Sequence, residues 1–510
     1  MSSAAIRQVI RTRLRDEIGR IDKDAPARVA LAYPSPYHVA MSSLGYQWMY
    51  RFIQNLPGVM CERVFAPDDD QARWPRPVTY ESFRDLAEFP VVAFSVAYEL
   101  EIAGLIRMLE ASGIGALRCG RSQRAPVVLA GGPLTFSNPL PLAPFVDAVV
   151  MGEAEDIIAF ALETACSAPT RAKALDELAR HPNIFVPALH GTRLPPIAAC
   201  QDGQLPAKSA IVTPHTELSG MFLVETERGC SRGCAYCVMR RTTNGGMRLV
   251  PQEVILGAVP ANTRRVGLVG AAVSDHPRIV DIVRALAERG CEVGLSSLRP
   301  DRLKEEFVAA LKLGGYKTLT TALDGASQRL RDLIQRRGRE QHYLDAAERA
   351  RRHGMKRVKL YLMLGLPGEG DADVDECVRL VTELSRIVPV AIGVSPFCSK
   401  RNTPLDRMPY AGVDLVRSRL HRLRTGLKGR AEVRSTSARW AWVEHVLAQG
   451  GEPEALAVFE AVAAGGRFSD YRRAFARLGH NPSGDGYSTA TIPALASTSR
   501  RRLNVVLSAV

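Results

Sequence analysis

The sequence has few cysteines, no long apolar run and no acidic excess. Ten cysteines in 510 residues are too few for a fold held together by disulfides. No stretch of about 18 or more uncharged apolar residues occurs, so we expect no membrane-spanning helix. The charged N-terminal segment MSSAAIRQVIRTRLRDEIGR predicts an amphipathic surface helix rather than a signal peptide. Together these absences predict a cytoplasmic protein with reduced thiols.

The charge balance is basic. Lysine and arginine number 67 against 53 aspartates and glutamates, which gives a formal net charge of +14. Such a balance can indicate a nucleic-acid partner. Here the basic residues are spread along the chain, and no basic block interleaved with aromatic residues occurs. The composition therefore favours a solvated basic surface, with a nucleic-acid partner as the alternative.

Residues 1–165 are predicted to form a doubly wound, Rossmann-like α/β domain. Continuous apolar runs alternate there with helical patterns, which is typical of parallel strands covered on both faces. Ligands of such open sheets bind at the carboxyl ends of the strands. The predicted strands are 28–35, 59–66, 91–98, 125–133 and 146–155.

Three further regions follow. Residues 166–217 are rich in proline and glycine and predict a linker, with room for one hairpin. Residues 218–410 contain six strand–helix units, which predict a complete or partial (β/α) barrel. Residues 411–510 are charged, carry helical patterns and predict a helical C-terminal domain without strands. The predicted barrel strands are 220–226, 264–270, 291–297, 317–323, 357–365 and 390–397.

A loop after the first barrel strand contains three cysteines, Cys230, Cys234 and Cys237, with the spacing C-x3-C-x2-C. No fourth cysteine or histidine follows at ligand spacing, whereas closed structural metal sites take four protein ligands. Thiolates at this spacing suit soft metals and iron–sulfur clusters. A four-iron cluster with three protein thiolates keeps one iron open. A zinc knuckle or three core cysteines are the alternatives.

The segment CSRGCAYC, with Tyr236 before the third cysteine, resembles the signature of the radical S-adenosylmethionine (SAM) superfamily. The resemblance implies a partial TIM barrel, a 4Fe-4S cluster bound by the three cysteines, and SAM on the open iron. It also implies a reductant such as flavodoxin or ferredoxin, and cleavage of SAM to a 5′-deoxyadenosyl radical.

The same resemblance implies a SAM site at the ends of later strands. Many relatives carry a Gly-Gly-Glu after the second strand for the amino group of SAM, but this chain has Gly270, Ala271 and Ala272 there. Backbone carbonyls are expected to replace the missing glutamate. The predicted SAM-binding residues are Tyr236, Ala271, Ala272, Ser296, Arg299, Asp324, Gly365 and Pro367.

Nearly the whole chain resembles the cobalamin-binding-domain radical SAM proteins, including residues 32–47, 93–101, 131–155 and 321–334. The loop that carries His38 lacks the Asp-x-His-x-x-Gly motif of cobalamin mutases, so His38 is not expected to ligate cobalt. A sheet that binds no cofactor is the alternative. The predicted cobalamin-binding residues are Ser95, Tyr98, Gly131, Gly132, Gly152 and Glu153.

The resemblance implies a methyltransferase that acts on an unactivated carbon through a 5′-deoxyadenosyl radical and methylcobalamin. The methyl acceptor is a small molecule, a lipid or a peptide. A radical SAM enzyme that catalyses a rearrangement, a cyclisation or an RNA modification is the alternative. Methylthiolation is less favoured, because the three further cysteines of such relatives are not matched in the first domain. An RNA-binding module without a cluster is a third hypothesis, from a different class.

Overall fold

The computed structural model describes residues 3–68, 74–240, 246–296 and 298–484. Its strands are β1 (Ala27–Pro36), β2 (Val59–Ala66), β3 (Val91–Ser95), β4 (Val127–Gly131), β5 (Ala148–Val150), β6 (Ile184–Phe185), β7 (Phe222–Glu225), β8 (Glu227–Gly229), β9 (Met247–Leu249), β10 (Arg265–Val269), β11 (Glu292–Leu295), β12 (Thr318–Asp324), β13 (Arg357–Leu364), β14 (Val390–Pro396) and β15 (Ala431–Ser435).

Helices connect most of these strands. They are α1 (Ser3–Arg15), α2 (Tyr37–Ala40), α3 (Leu44–Asn55), α4 (Glu101–Ala111), α5 (Ile158–Ser167), α6 (Arg171–Leu178), α7 (Pro187–His190), α8 (Gln252–Ala258), α9 (Ile279–Glu288), α10 (Glu305–Leu313), α11 (Gln328–Leu333), α12 (Glu340–Arg352), α13 (Asp371–Ile387), α14 (Val413–Gly426), α15 (Ala438–Gln449), α16 (Glu452–Ala463) and α17 (Phe468–Ala476). The predicted mixed α/β fold is confirmed.

The first sheet has the strand order β2-β1-β3-β4-β5-β6, and β1 to β5 are parallel. Successive side chains of a strand point to opposite faces. Leu31 and Ala93 accordingly pack with α3 and α5 on one face, whereas Ala30 and Val92 pack with α4 on the other. Burial on both faces explains why these strands are continuous apolar runs.

Part of the predicted linker belongs to the first sheet instead. Residues 171–178 form α6, and Ile184 and Phe185 form β6, which pairs antiparallel with β5. A strand of two residues is too short to produce a recognisable apolar run, so only its pairing with β5 defines it.

The second half of the chain is built from parallel strands. One sheet has the order β7-β10-β11, and another has the order β12-β13-β14-β15. A parallel bridge between Leu298 and Thr321 links the two. Residue 297, in the predicted strand 291–297, lies outside the described residues. Buried apolar residues of these strands and of helices α8 to α13 form one hydrophobic core.

The C-terminal region differs from the prediction in one respect. Residues 431–435 form β15, an edge strand, within a region predicted to lack strands. Ala431 and Val433 are half-buried while Glu432 and Arg434 are exposed, so this strand is too polar and too short to be predicted from apolar content. Residues 485–510 of the predicted helical domain lie outside the described residues.

Helices α15 to α17 return to the first sheet. Trp442 of α15 and Phe475 of α17 share one core with Leu105 of α4. Within the described residues, no helix has both the length and the apolar character required to cross a bilayer.

Candidate functional site

The cysteine loop lies at the carboxyl end of β7. Strand β8 pairs antiparallel with β9, and this hairpin positions the loop because Cys230 directly follows β8. Gly229 has a φ of 87°, a conformation that favours glycine, at the turn into the loop. Cys234 is buried, and Cys230 and Cys237 are half-buried.

The three thiols of the loop are partly or fully shielded from water. Burial raises the pKa of Cys230, and it raises the pKa of Cys237 to about 11. The metal-free thiols of Cys230 and Cys237 are therefore protonated, and a bound metal has to displace their protons. Three soft donors from one loop fit a 4Fe-4S cluster with one open iron.

Ion pairs attach the loop to the neighbouring strand ends. The guanidinium of Arg232 donates to both carboxylate oxygens of Asp275, at 2.6 and 2.5 Å, and to Asp301 at 3.3 Å. The Ala235 amide also donates to the carbonyl of Ile334 at 2.9 Å. The loop is thus fixed between the ends of β10 and β11 and the end of α11.

Three predicted SAM-binding residues come together beside the loop. The Tyr236 hydroxyl donates to Asp324 Oδ2 at 2.7 Å, and Arg336 pairs with the same oxygen at 2.6 Å. Arg299 donates to the Arg336 carbonyl at 2.9 Å. Burial and the charge of Asp324 raise the pKa of Tyr236. Tyr236, Arg299 and Asp324 therefore brace the loop through bonds to protein groups.

A residue that sequence analysis missed occupies the end of β10. The Ala272 amide donates to Glu227 Oε1 at 2.7 Å, and a Cβ atom on Gly270 would lie only 2.0 Å from that oxygen. The Ser296 hydroxyl donates to the Gly270 carbonyl at 3.4 Å. Ala272 and Ser296 therefore both lie beside Gly270, while Ala271 is exposed, and the contact of these residues with SAM stays a prediction. The acidic residue in ETERGC was the signal that could have revealed Glu227.

The predicted turn with Gly365 and Pro367 follows β13. Gly365 has a φ of 86°, and its amide donates to Glu369 Oε1 at 3.0 Å. Arg419 of α14 donates to the same Glu369 oxygen at 3.0 Å. Burial raises the pKa of Glu369 to about 7. Glu369 and Arg419 therefore hold this turn in place from its inner side.

A cavity of about 320 Å³ lies where the carboxyl ends of β1, β3, β4 and β5 approach those of β7 and β10. Its walls are mainly apolar, and Met239, two residues after Cys237, contributes to them. Its lining includes the predicted residues Ser95, Gly131, Gly132, Gly152 and Glu153. Tyr98, in contrast, is 44% exposed and is not among the lining residues.

Two of the predicted glycines serve the packing of the chain itself. A Cβ atom on Gly132, which has a φ of 103°, would lie 2.8 Å from the Val96 carbonyl oxygen. One on Gly152, at φ 89°, would lie 2.5 Å from the Ala198 carbonyl oxygen. At Gly131 the nearest atom would be 3.6 Å away. Close backbone contact therefore requires glycine at the first two positions, and their expected contact with a ligand stays a prediction.

Glu153 belongs to the junction between the two halves. Its carboxylate pairs with Arg248 of β9 and, at 3.3 Å, with Arg228 of β8. Arg228 also pairs with Glu155 and Glu225, both at 2.7 Å. This network anchors the hairpin that carries the cysteine loop. Glu153 Oε2 accepts the bonds from both arginines, whereas Oε1 is buried without a hydrogen-bond partner, so the expected contact with cobalamin stays a prediction.

The part of the cavity lining that the structure describes includes no histidine. His38 lies in α2 and is not among the lining residues. The apolar, glycine-containing wall fits a bulky ligand with little charge.

Comparisons with known proteins agree with this arrangement. Residues 45–187 match the family described as radical SAM proteins, N-terminal, and residues 224–381 match the radical SAM superfamily. An uncharacterized protein of Methanocaldococcus jannaschii is 27% identical over 337 residues, which cover 64% of this chain and 70% of that protein. An uncharacterized methyltransferase of Pyrococcus horikoshii is 22% identical over 291 residues, which cover 54% of this chain and 62% of the relative.

Among solved structures, the apo form of the cobalamin-dependent S-adenosylmethionine radical enzyme OxsB superposes with a TM-score of 0.51 at 12% identity. The match covers 71% of this chain and 52% of the other. This chain thus spans about half the length of that enzyme and less than two thirds of the P. horikoshii protein.

Proposed function

Because the chain belongs to the radical SAM superfamily, we propose that it is a cobalamin-dependent methyltransferase that acts on an unactivated carbon. Membership makes it an enzyme and implies a 4Fe-4S cluster and SAM. The observation that carries the finer proposal is the cavity shared by the carboxyl edges of the first sheet and of β7 and β10. A reaction that uses two cofactors needs such a shared space.

Cys230, Cys234 and Cys237 would hold the cluster. When bound, the cluster supplies the electron that cleaves SAM, and cobalamin supplies the methyl group. The protein fixes the loop through Arg232 and Tyr236, whose partners lie on the neighbouring strand ends. Placement and exclusion of water are the protein's contributions to such chemistry.

The first sheet would hold cobalamin at the cavity. Leu44 and Met49 of α3 and Phe94 of β3 contribute apolar wall, and a Cβ atom on Gly45 would meet nothing within 4 Å. We interpret residues 1–165, extended by β6, as a Rossmann-like domain and the later parallel strands as a partial barrel. The name of the P. horikoshii relative and the cobalamin-dependent neighbour of similar fold are consistent with this interpretation.

The deciding experiment is anaerobic reconstitution with iron, sulfide and hydroxocobalamin, followed by spectra and product analysis with labelled SAM and a chemical reductant. We expect iron–sulfur and corrin absorption together, and formation of 5′-deoxyadenosine. A cluster without corrin would favour the rearrangement, cyclisation or RNA-modifying alternative. Absence of both cofactors would refute the proposal.

The proposal names the substrate and the electron donor by chemical class only. A small molecule, lipid or peptide is the proposed methyl acceptor, and flavodoxin or ferredoxin the proposed reductant. Mass spectrometry of products formed with methyl-labelled SAM would identify the acceptor.

A further inference from the structure

Most acidic side chains around the cysteine loop are paired with an arginine. The pairs are Glu225 with Arg228 at 2.7 Å, Asp275 with Arg232 at 2.5 Å and Asp324 with Arg336 at 2.6 Å. Glu227 differs from them. It is only 1% exposed, and its hydrogen bonds come from the Ala272 amide and the Thr226 hydroxyl. Across the described residues, no arginine, lysine or histidine is paired with Glu227.

The surroundings of Glu227 make its negative charge costly. Burial raises its pKa to about 7, and the negative charges of Glu225 and Asp275 act in the same direction. A buried carboxylate without a positively charged partner is unfavourable unless a strong donor compensates it. In the ligand-free protein Glu227 is therefore partly neutral, and a ligand that brings polarised N–H groups would stabilise its ionised form.

The position of the carboxylate identifies which ligand group it can meet. It overlies Gly270, which lines the cavity, and Glu227 precedes Cys230 by three residues on the same strand-to-loop connection. It also occupies the strand end where Ala272 and Ser296 meet, the predicted place of SAM. Of the groups of SAM, the sulfonium has no N–H donor, the carboxylate would be repelled, and the adenine amino group and ribose hydroxyls are uncharged, so the α-ammonium is the positively charged N–H donor that offsets a buried carboxylate.

We infer that Glu227 forms the binding site for the amino group of SAM, accepting its N–H hydrogen bonds in the place of the glutamate that this chain lacks after β10. The inference rests on the radical SAM part of the proposed function, and it is independent of cobalamin and of the methyl acceptor. The competing explanation is a neutral carboxylic acid that only braces the end of β10 through Ala272.

Glu227→Gln separates the two explanations because the amide has the same shape and cannot carry the charge. Glu101→Gln is the matched control. Glu101 is 3% exposed, has no cation partner among the described residues, and accepts hydrogen bonds from the Ala97 amide at 2.6 Å and from Ser35 at 3.0 Å. It lies at the start of α4, away from the cysteine loop.

Dissociation constants for SAM are measured anaerobically on reconstituted protein and expressed per cluster, with iron and sulfide content determined for each variant. We expect Glu227→Gln to keep its cluster and to bind SAM roughly 10- to 100-fold more weakly, the usual effect of losing hydrogen bonds to a charged group. Glu101→Gln should bind SAM as the wild type does. If Glu227→Gln holds less iron, Glu227→Asp, which keeps the charge, is compared at equal cluster content.

A SAM analogue with a hydroxyl in place of the amino group completes a double-mutant cycle, in which one change is made in the protein and the other in the ligand. Wild-type protein should bind this analogue more weakly than SAM. Glu227→Gln should bind the analogue and SAM with nearly the same affinity, because both changes remove the same contact. The inference would be overturned if wild type and Glu227→Gln bound SAM equally well. It would also be overturned if the affinity losses caused by the substitution and by the analogue multiplied. Wild-type protein that carries a full cluster and binds no SAM would instead overturn the proposed function.

Discussion

The two strand edges that face the shared cavity are built differently. The edge of the first sheet is largely apolar, with glycines and few charged groups. The edge around the cysteine loop is dense in ion pairs such as Arg232 with Asp275 and Arg336 with Asp324. Binding of a ligand at the first edge would therefore depend mainly on its shape. On the second edge, charges fix the loop that presents the thiols, and few remain for a ligand.

The largest effect is expected on the charged edge. Replacing Cys230, Cys234 or Cys237 with alanine should abolish cluster binding and SAM cleavage, because each removes one of three thiolate ligands. Iron content and 5′-deoxyadenosine formation measure the effect. Cys166→Ala in α5 is the control and should retain both. Production of 5′-deoxyadenosine by the triple variant would contradict the cluster assignment.

Next in size is a backbone effect at the apolar edge. Gly152→Ala should lower the free energy of unfolding by about 2–4 kcal/mol, because it combines a positive φ with a backbone clash at Ala198. Gly131→Ala, whose Cβ meets its nearest atom at 3.6 Å, should change it by less than about 1 kcal/mol. Urea denaturation of both variants tests this difference. Equal stabilities would show that the Gly152 contact relaxes without cost.

The shape-based character of the apolar edge can be tested at Gly45. This residue of α3 lines the cavity, and a Cβ atom there would meet nothing within 4 Å. Gly45→Phe should therefore leave the fold intact and weaken cobalamin binding by at least roughly 10-fold, since the ring would occupy ligand space. The absorption of the corrin during a titration with cobalamin measures this affinity. Gly257→Phe, on α8 and equally unobstructed, should bind cobalamin normally.

The smallest effect concerns pH. Glu227 has its pKa raised to about 7 by burial, above its ordinary value of 4.5, so the folded protein binds more protons than the unfolded chain between these values. Its contribution to stability is present below about pH 4.5 and is lost as the pH rises towards 7. Metal-free wild-type protein should therefore lose about 1–2 kcal/mol more than Glu227→Gln between pH 5 and 7. Parallel pH profiles from denaturation would contradict this expectation.

Much of the fold was predictable because its strands are buried on both faces. The prediction for 59–66 coincides with β2, and the other long apolar runs each overlap an observed strand. The exceptions are β6, β15 and the β8–β9 hairpin, which are two to five residues long or polar. Their pairing partners define them, and no local pattern reports a partner. The site residues were placed near the loop, but their hydrogen-bond partners were not foreseen.

The sequence alone determined the number and spacing of the thiols, and hence the prediction of a metal centre with an open position, because all three proposed ligands lie within eight consecutive residues. It also determined the alternating parallel architecture through its apolar runs. Only the tertiary structure decided which groups meet. Arg228 and Glu155 are 73 residues apart, and Tyr236 and Asp324 are 88 apart. Such pairs exist because the carboxyl ends of strands from different sheets meet around the site, a consequence of chain topology rather than of local pattern.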